Sequence, residues 1–321
     1  MLKRLGFFAS GLLLSVSAIS PAHATDYPDK QIQFIVPNGP GGGTDTFGRV
    51  LAQKLSEVWN QRVVVDNRPG AQAAIGTALG AKAPPDGYTL TIALTSSIAL
   101  NPFLSKNLGY DPLNDFVPVA IGVRQPFLVV TSVNSPYDSL NQFSEFAKKK
   151  TSPATFASTS SQTELVGSLF GLITNTKFLS VPYKNASTAV VELARGDVDM
   201  MVASLPSSIP LVNAGKLKAI AVTGTARVPA LPNIKTSAES GYPDFLADSW
   251  YGVLAPKGTP KEIVDKLNKQ INLILEMPDV QKTLATAGMT VAKGTPEEFG
   301  AIMRADHKRW GDVIARQKAN K

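Results

Sequence analysis

The sequence of 321 residues contains no cysteine. This absence excludes disulfides, thiolate metal ligands, cysteine nucleophiles and a lipid anchor on an N-terminal cysteine. Histidine is almost absent as well, because only His23 and His307 occur, so metal sites built from histidine and cysteine are excluded too. His307 stands beside Lys308 and Arg309 in an amphipathic helical pattern, which is typical of a surface histidine rather than of a general base.

Nucleotide-binding motifs and arginine-rich runs are also missing. The P-loop signature needs Gly-Lys followed by Ser or Thr, and the dinucleotide fingerprint fails because Thr46 stands where its third glycine should be. The formal charge of +7 at pH 7 mildly favours an anionic ligand, and the densest basic cluster, Lys148–Lys150, closes an amphipathic helix whose dipole it complements. We therefore expect no cofactor and no nucleic-acid partner.

The sequence has one long apolar stretch, and it lies at the N-terminus. Lys3-Arg4 precedes the apolar segment Gly6–Ile19, and Ala22-His23-Ala24 has the small-x-small form that signal peptidase cleaves. A membrane anchor needs about 20 apolar residues, whereas this stretch is shorter and is followed by Pro21. The pattern predicts a signal peptide over residues 1–24, export to the periplasm and a mature chain that begins at Thr25.

Beyond the leader, strands and helices alternate, which predicts α/β architecture with helices on the faces of a parallel or mixed sheet. The first unit is predicted as a strand, a helix, a strand, a helix and a strand, at Ile32–Val36, Thr44–Trp59, Arg62–Asp66, Ala73–Ala83 and Tyr88–Leu94. A second unit of the same kind begins after Ala120 and runs to Thr223, and it starts with a predicted strand at Phe127–Thr131 and a predicted helix at Leu140–Lys149.

The C-terminal helices decide the predicted domain organisation. Lys261–Leu275 and Glu297–Arg316 have amphipathic patterns but no sheet of their own, so we expect them to pack on the first unit. Lobe 1 is then discontinuous, with residues 25–123 and 240–321, and lobe 2 comprises residues 124–239. The chain is expected to cross between the lobes near Val123–Gln125 and Val228–Ser240, which gives a hinge with a cleft beyond the strand ends.

The loop Pro37–Asp45 is the strongest local signal for a binding site. It follows a strand and opens a helix, so its glycine amides and the Thr44 hydroxyl lie at the positive end of a helix dipole, where an anion is stabilised. Thr44 and Asp45 can equally serve as helix caps. Three other polar loops follow strands in the same sense, at Asn67–Gly70, Thr95–Ser97 and Ser158–Thr163.

Six motifs occur in an order that is specific to one family. They are Pro37–Asp45, Val64–Gly70, Ala83–Leu90, Tyr110-Asp111-Pro112, Val181–Lys184 and Ser249–Pro256. Together they make the whole mature chain resemble the substrate-binding proteins of tripartite tricarboxylate transporters, the Bug or TctC-like receptors.

The resemblance implies a two-lobed, type II-like periplasmic binding protein that is not an enzyme. It implies a monomer that holds a small carboxylate between its lobes and delivers it to the membrane subunits of a tripartite tricarboxylate-type transporter. By position, the residues it assigns to the cleft are Gly42, Gly43, Thr44 and Asp45 in the first loop, Ser96 and Ser97 in the same lobe, Ser160, Ser161 and Thr163 in the facing loop, Tyr183 at the rim, and Ala203 after a strand of lobe 2.

The sequence departs from the family pattern at three places. Glu164 replaces a usual histidine, Ala203 stands near the place where many relatives carry an aspartate, and Ala71–Ala74 lacks the usual Gly-Gly-Asn. Because Ala203 cannot meet a ligand amino group, the departures favour an unsubstituted carboxylate or an aromatic acid over an amino acid.

Two other functions stay open at this point. A sensory protein that docks on a signalling kinase would use the same closed surface, and the sequence does not separate it from a transport receptor. A periplasmic hydrolase is disfavoured, since Ser158–Ser161 has no histidine partner and no nucleophile-elbow spacing.

Overall fold

A computed structural model describes residues 27–183 and 185–319. The predicted signal peptide and its cleavage after Ala24 lie outside the described residues. Within them the chain forms ten strands and ten α-helices, so the predicted mixed α/β class is confirmed.

The strands are β1 (Ile32–Val36), β2 (Val63–Asn67), β3 (Thr89–Leu94), β4 (Phe116–Thr131), β5 (Ala154–Ser158), β6 (Phe178–Pro182), β7 (Met200–Ser204), β8 (Lys218–Val222), β9 (Asp248–Pro256) and β10 (Thr290–Val291). The helices are α1 (Gly43–Trp59), α2 (Ala74–Ala81), α3 (Asn101–Leu104), α4 (Leu140–Lys149), α5 (Ser161–Thr174), α6 (Ala186–Arg195), α7 (Leu205–Asn213), α8 (Lys261–Leu275), α9 (Pro278–Thr286) and α10 (Pro296–Ala319).

One curled, mixed sheet runs through the molecule in the order β2-β1-β3-β9-β4-β7-β5-β6, and β8 and β10 also pair with β4. β1 is parallel to β2 and β3, and β5 is parallel to β6 and β7. β9 and β4 run antiparallel to each other between these two parallel groups. The carboxyl ends of the parallel strands are where ligands bind in open α/β sheets.

The first parallel group carries its own apolar core. Phe34 of β1, Phe47 of α1 and Leu267 of α8 are completely buried in one cluster with residues of β3 and β9. α8 therefore packs on the first sheet region, where the sequence pattern places it.

The second parallel group is covered by α4 and α5 on one face. Phe143, Phe156 and Phe170 are fully buried there. Helix α10 contributes to both regions, because Phe299 packs in a cluster with Ile121 and Trp250, whereas Trp310 packs with the second group. The boundary of the two lobes at residues 123 and 240 stays a prediction, with α10 spanning it.

The structure corrects the sequence analysis at β4. The sequence predicts a strand only at Phe127–Thr131, since Pro118, Gly122 and Pro126 interrupt the pattern. In the structure β4 continues from Phe116, and register shifts beside Pro118 and before Val123 absorb the residues that cannot pair regularly. The sequence analysis also missed α9.

The segment Val228–Ser240, where the second crossing is predicted, packs in part on the second sheet region. Segment Val228–Ser240 has few apolar residues, yet Val228 and Leu231 are buried against the second sheet region, and Thr236 bridges to Val222 at its edge. The chain returns to the first region only at the start of β9, where Asp248 pairs with Pro126 and binds Arg124 at 2.7 Å.

Candidate functional site

The candidate site lies where α1 and α5 begin, on either side of β4 and β9. Loop 37–42 leads from β1 into α1, and residues Thr159 and Ser160 lead from β5 into α5. The side chains of Ser161 and Gln72 meet across this space, with the Ser161 hydroxyl donating to Gln72 Oε1 at 3.2 Å. The start of α5 is thus brought to residues 71–73, which follow β2.

The N-terminus of α1 carries unsatisfied amides. Its N-cap is Gly42, which has no side-chain hydrogen bond to the helix. The first N–H groups of a helix have no intrahelical acceptor, and here they belong to Gly43, Thr44 and Asp45. The helix dipole is positive at this end, so free N–H groups and the dipole together give the electrostatic arrangement that favours an anion.

Gly43 is required by its surroundings. A Cβ at this position would lie 2.9 Å from Tyr251 Oη and 3.1 Å from Met289 Cε. The first turn of α1 can therefore rest directly on β9 only because residue 43 has no side chain.

Asp45 has a different role from the one that its place in the loop suggests. Its carboxylate is almost fully buried and accepts hydrogen bonds from Gly41 N, Arg49 Nε and Asn67 Nδ2, each at 2.9 Å. Burial alone raises the pKa of Asp45, but the hydrogen bonds from Arg49, Gly41 and Asn67 together lower it below its ordinary value. Because protein donors occupy both carboxylate oxygens, Asp45 fixes the loop that presents the amides.

The loop before α5 is a closed capping box. Ser160 Oγ accepts from Thr163 N at 3.2 Å, and Thr163 Oγ1 accepts from Ser160 N at 3.0 Å and from Thr159 N at 3.0 Å. These hydroxyls therefore stabilise the start of the helix, and Ser161 is the predicted residue of this loop whose hydroxyl turns to the opposite side of the site.

Gln162 was missed by the sequence analysis. Its Oε1 accepts from Ser249 Oγ of β9 at 2.9 Å. Its Nε2 is buried and has no hydrogen-bond partner among the described residues. A buried amide donor without an acceptor is costly, and Gln162 lies one residue after Ser161, in the first turn of α5. Its position directly after the polar run Ser158–Ser161 is the signal that could have identified it.

Tyr251 and Gln125 form the floor of the site. The Tyr251 hydroxyl donates to Gln125 Oε1 at 3.0 Å, and Gln125 Nε2 donates to Ala287 O at 3.1 Å. Burial raises the pKa of Tyr251 to about 12, against an opposing effect of the Thr44 hydroxyl, so Tyr251 is neutral at physiological pH. Sequence reasoning named Tyr251 only as part of a family motif and did not place it in the site.

Ser96 and Ser97 follow β3 in a π-helical turn over Ser96–Leu100. Ser96 is partly exposed. Ser97 is completely buried, and its hydroxyl donates to Leu94 O at 2.9 Å. The Ser97 side chain therefore stabilises the turn, and only Ser96 presents a side chain to solvent.

The side chains of Tyr183 and Ala203 have other partners. The Tyr183 hydroxyl donates to Glu192 of α6, and burial together with this carboxylate raises the pKa of Tyr183 to about 12. Ala203 is 2% exposed in β7 and packs with Leu128 in the core of the second region. The Ala203 side chain thus belongs to the core, and the exposed residue after it is Ser204.

Residues 27–183 and 185–319 contain no cluster of acidic residues and histidines with the geometry of a metal site. His307 is half-buried against Phe103, with Nδ1 3.1 Å from Ile98 O. Among the helices of this part of the chain, none has the length and apolar character needed to cross a bilayer.

Comparison with known proteins identifies the family of this chain. A sequence model of the tripartite tricarboxylate transporter family receptor, TctC, matches residues 47–319. Protein BugT of Bordetella pertussis is 36% identical over 308 residues, which are 95% of this chain and 94% of BugT.

Two solved structures with ligands are similar as well. The R. palustris protein Rpa4515, solved with adipate, is 34% identical with a TM-score of 0.76, over 90% of this chain and 98% of that one. MatC from Rhodopseudomonas palustris, solved with bound malate, is 28% identical with a TM-score of 0.72, over 90% of this chain and 100% of MatC. The chain belongs to the tripartite tricarboxylate transporter receptor family, whose members are periplasmic solute-binding proteins.

Proposed function

We propose that this protein captures a small carboxylate between its two lobes in the periplasm and delivers it to the membrane subunits of a tripartite tricarboxylate-type transporter. The receptor is a monomer that works without catalysis. Its mature form begins at Thr25, after cleavage of residues 1–24.

The first anchor for the carboxylate is the N-terminus of α1. The amides of Gly43 and Thr44 point out of the first turn, and the loop before them is held by the buried Asp45 carboxylate. Hydrogen bonds from preorganised amides to an anion are stronger than those between neutral groups, and a rigid loop lowers the entropic cost of binding.

Gln162 is the observation that carries the proposal. Its amide Nε2 is buried at the start of α5 without an acceptor, while its Oε1 is fixed by Ser249. A ligand oxygen that is held by α1 and also accepts from Gln162 satisfies both sets of donors at once. Binding then joins the two halves of the molecule, which is how a hinged receptor closes.

The relatives support this ligand class. MatC was solved with malate and Rpa4515 with adipate, and both ligands are carboxylates. Of the assigned cleft residues, Gly42, Gly43, Thr44, Ser96 and Ser161 are the ones we propose as ligand contacts, with Gln162 and Tyr251 added. Asp45, Ser160 and Thr163 act by positioning the loops, while Ser97, Tyr183 and Ala203 contribute to folding.

The test uses the variant Gln162→Glu, which keeps the shape and the acceptor for Ser249 but replaces the free donor by an anionic oxygen. The purified protein is first screened by thermal shift against malate, adipate, benzoate and octanoate, since a ligand at 100 times its Kd adds about 2.7 kcal/mol to stability. Titration calorimetry then compares wild type and variant with the best carboxylate. We expect affinity to fall at least about tenfold, because a hydrogen bond to a charged group contributes about 1.5–3 kcal/mol.

Gln317→Glu is the matched control. Gln317 donates through Nε2 to Ser168 at 3.0 Å between α10 and α5, away from the N-terminus of α1. The same chemical change there should leave affinity unchanged. Equal affinities for wild type and Gln162→Glu would remove Gln162 from the site, and a screen in which none of the carboxylates stabilises the protein would refute the proposed ligand class.

A further inference from the structure

A groove of about 520 Å³ opens beside the candidate site. One wall is formed by α7 and the segment Val228–Ala230, and the other by α9 and β10 with the residues between them. The apolar lining residues include Leu205, Ile209, Val228, Ala285, Met289 and Val291.

The chemistry of the groove is apolar. Among the described residues, only Gln281, Thr286 and Thr290 bring polar side chains to the groove, and no charged side chain lines it. Its volume falls within the range of about 300–1,000 Å³ that small-molecule sites occupy. Such a surface stabilises a hydrocarbon, whereas a second carboxylate placed against it would lose water without gaining a cationic partner.

The groove adjoins the N-terminus of α1. Met289 lines the groove, and its Cε lies 3.1 Å from the position of a Cβ on Gly43. At the preceding residue, a Cβ on Gly288 would lie 3.1 Å from Leu205 Cβ and 3.1 Å from Pro206 Cδ. The start of α1 and the apolar groove therefore meet at Met289, beside Gly288, where the two walls approach each other.

We infer that the ligand is a monocarboxylate with an extended apolar body. Its carboxylate binds the amides at the start of α1, and its hydrocarbon passes Met289 and lies between α7 and α9. The inference depends on the proposed function of the α1 amides as the anion site. A ligand with an apolar body distinguishes this receptor from one that binds compact, highly polar dicarboxylates such as malate.

A series of straight-chain acids tests the inference directly. Titration calorimetry with butanoate, hexanoate and octanoate should show affinity that rises by about fourfold for each methylene group that the groove buries. Malate, which has no apolar body, should bind more weakly than octanoate.

Two substitutions then locate the hydrocarbon. Ala285 is exposed on α9 and lines the groove, so Ala285→Trp should fill it and reduce the affinity for octanoate to about that for butanoate, with butanoate little changed. Thr283→Trp is the control, since Thr283 is exposed on the same helix but does not line the groove. If Ala285→Trp does not fold, Ala230→Trp replaces it in the experiment, because Ala230 lies on the opposite wall and a tryptophan there also fills the groove.

The outcomes separate this inference from the proposed function. The groove is not part of the site if affinity does not depend on chain length. The same holds if malate binds more tightly than octanoate and Ala285→Trp leaves the affinity for malate unchanged. In both cases the proposed function as a carboxylate receptor stands. Equal loss of octanoate binding in Ala285→Trp and Thr283→Trp would also overturn the groove assignment. If no acid of either kind binds, the groove inference and the proposed function fall together.

Discussion

The loop before α2 holds three consecutive residues in the left-handed region, and this predicts a stabilising substitution. Ala71, Gln72 and Ala73 have φ of 46°, 54° and 77°. Asn101, which is buried, holds the middle residue by donating from Nδ2 to Gln72 O at 2.9 Å. The loop thereby brings the Gln72 side chain to Ser161 across the candidate site. We expect Ala71→Gly to increase the free energy of unfolding.

The magnitude follows from the conformation. Holding alanine in the left-handed region costs about 1–2 kcal/mol of conformational free energy, and glycine does not pay this cost. Glycine in turn gives the unfolded chain more freedom, which costs about 0.4–1 kcal/mol. Because the Ala71 side chain is exposed, no buried methyl group is lost. The net gain should be about 0.5–1 kcal/mol.

Ala301→Gly provides a control of opposite sign. Ala301 is exposed within α10, where the helical backbone gives alanine its advantage, so the same substitution should cost about 1 kcal/mol. Urea unfolding of wild type and both variants, compared at equal m-values, measures the difference. If Ala71→Gly destabilises the protein as Ala301→Gly does, the left-handed strain does not exist and the reasoning is refuted.

Three further predictions follow from the site. Asp45→Asn should lower the free energy of unfolding by about 2 kcal/mol at pH 7, since the charged acceptor of three hydrogen bonds is lost. Folding lowers the pKa of Asp45 below its ordinary value of 3.8. The ionised carboxylate therefore contributes its full stabilisation at pH values above 3.8, and this contribution is lost as the pH falls through the pKa of the folded state. The free energy of unfolding, measured with urea from pH 7 to pH 3, should thus fall less steeply with pH in the variant than in the wild type. Equal pH dependences would contradict this role of Asp45. Gly43→Ala should destabilise by about 1–3 kcal/mol through overpacking against Tyr251 and weaken carboxylate binding. Gly39→Ala meets no atom within 4 Å and should do neither, and thermal melts with calorimetry compare the pair. Finally, a saturating ligand should close the lobes about β4 and β9 and reduce the radius of gyration in small-angle scattering, so superimposable curves would show that binding involves no closure.

Local pattern was sufficient to predict much of this fold. Apolar periodicity predicts a helix at Leu140–Lys149 and another at Lys261–Leu275, and both have those bounds in the structure. Each of these segments has a complete apolar face, and that face is the one that packs on the core, so the spacing of apolar residues is sufficient to predict the helix. β4 was only partly predicted because its partners lie in both sheet regions, and long-range pairing compensates for the prolines that interrupt its local pattern.

The amino-acid sequence alone was sufficient for the α/β class and the family, and it predicts the loop at the start of α1 as the place for an anion. These properties depend on short-range features, namely apolar periodicity, the order of motifs, and glycine amides between a strand and a helix. The tertiary structure decided what each side chain does there. Only packing reveals that Asp45 is enclosed by Gly41, Arg49 and Asn67 and that Ser97 and Ala203 are buried. Packing also leaves Gln162 Nε2 buried without a partner among the described residues, and it joins Tyr251 to Gln125. The groove at Met289 also exists only in the folded chain, because its two walls are α7 and α9, which are distant in sequence and meet when β4 and β9 bring the halves of the molecule together.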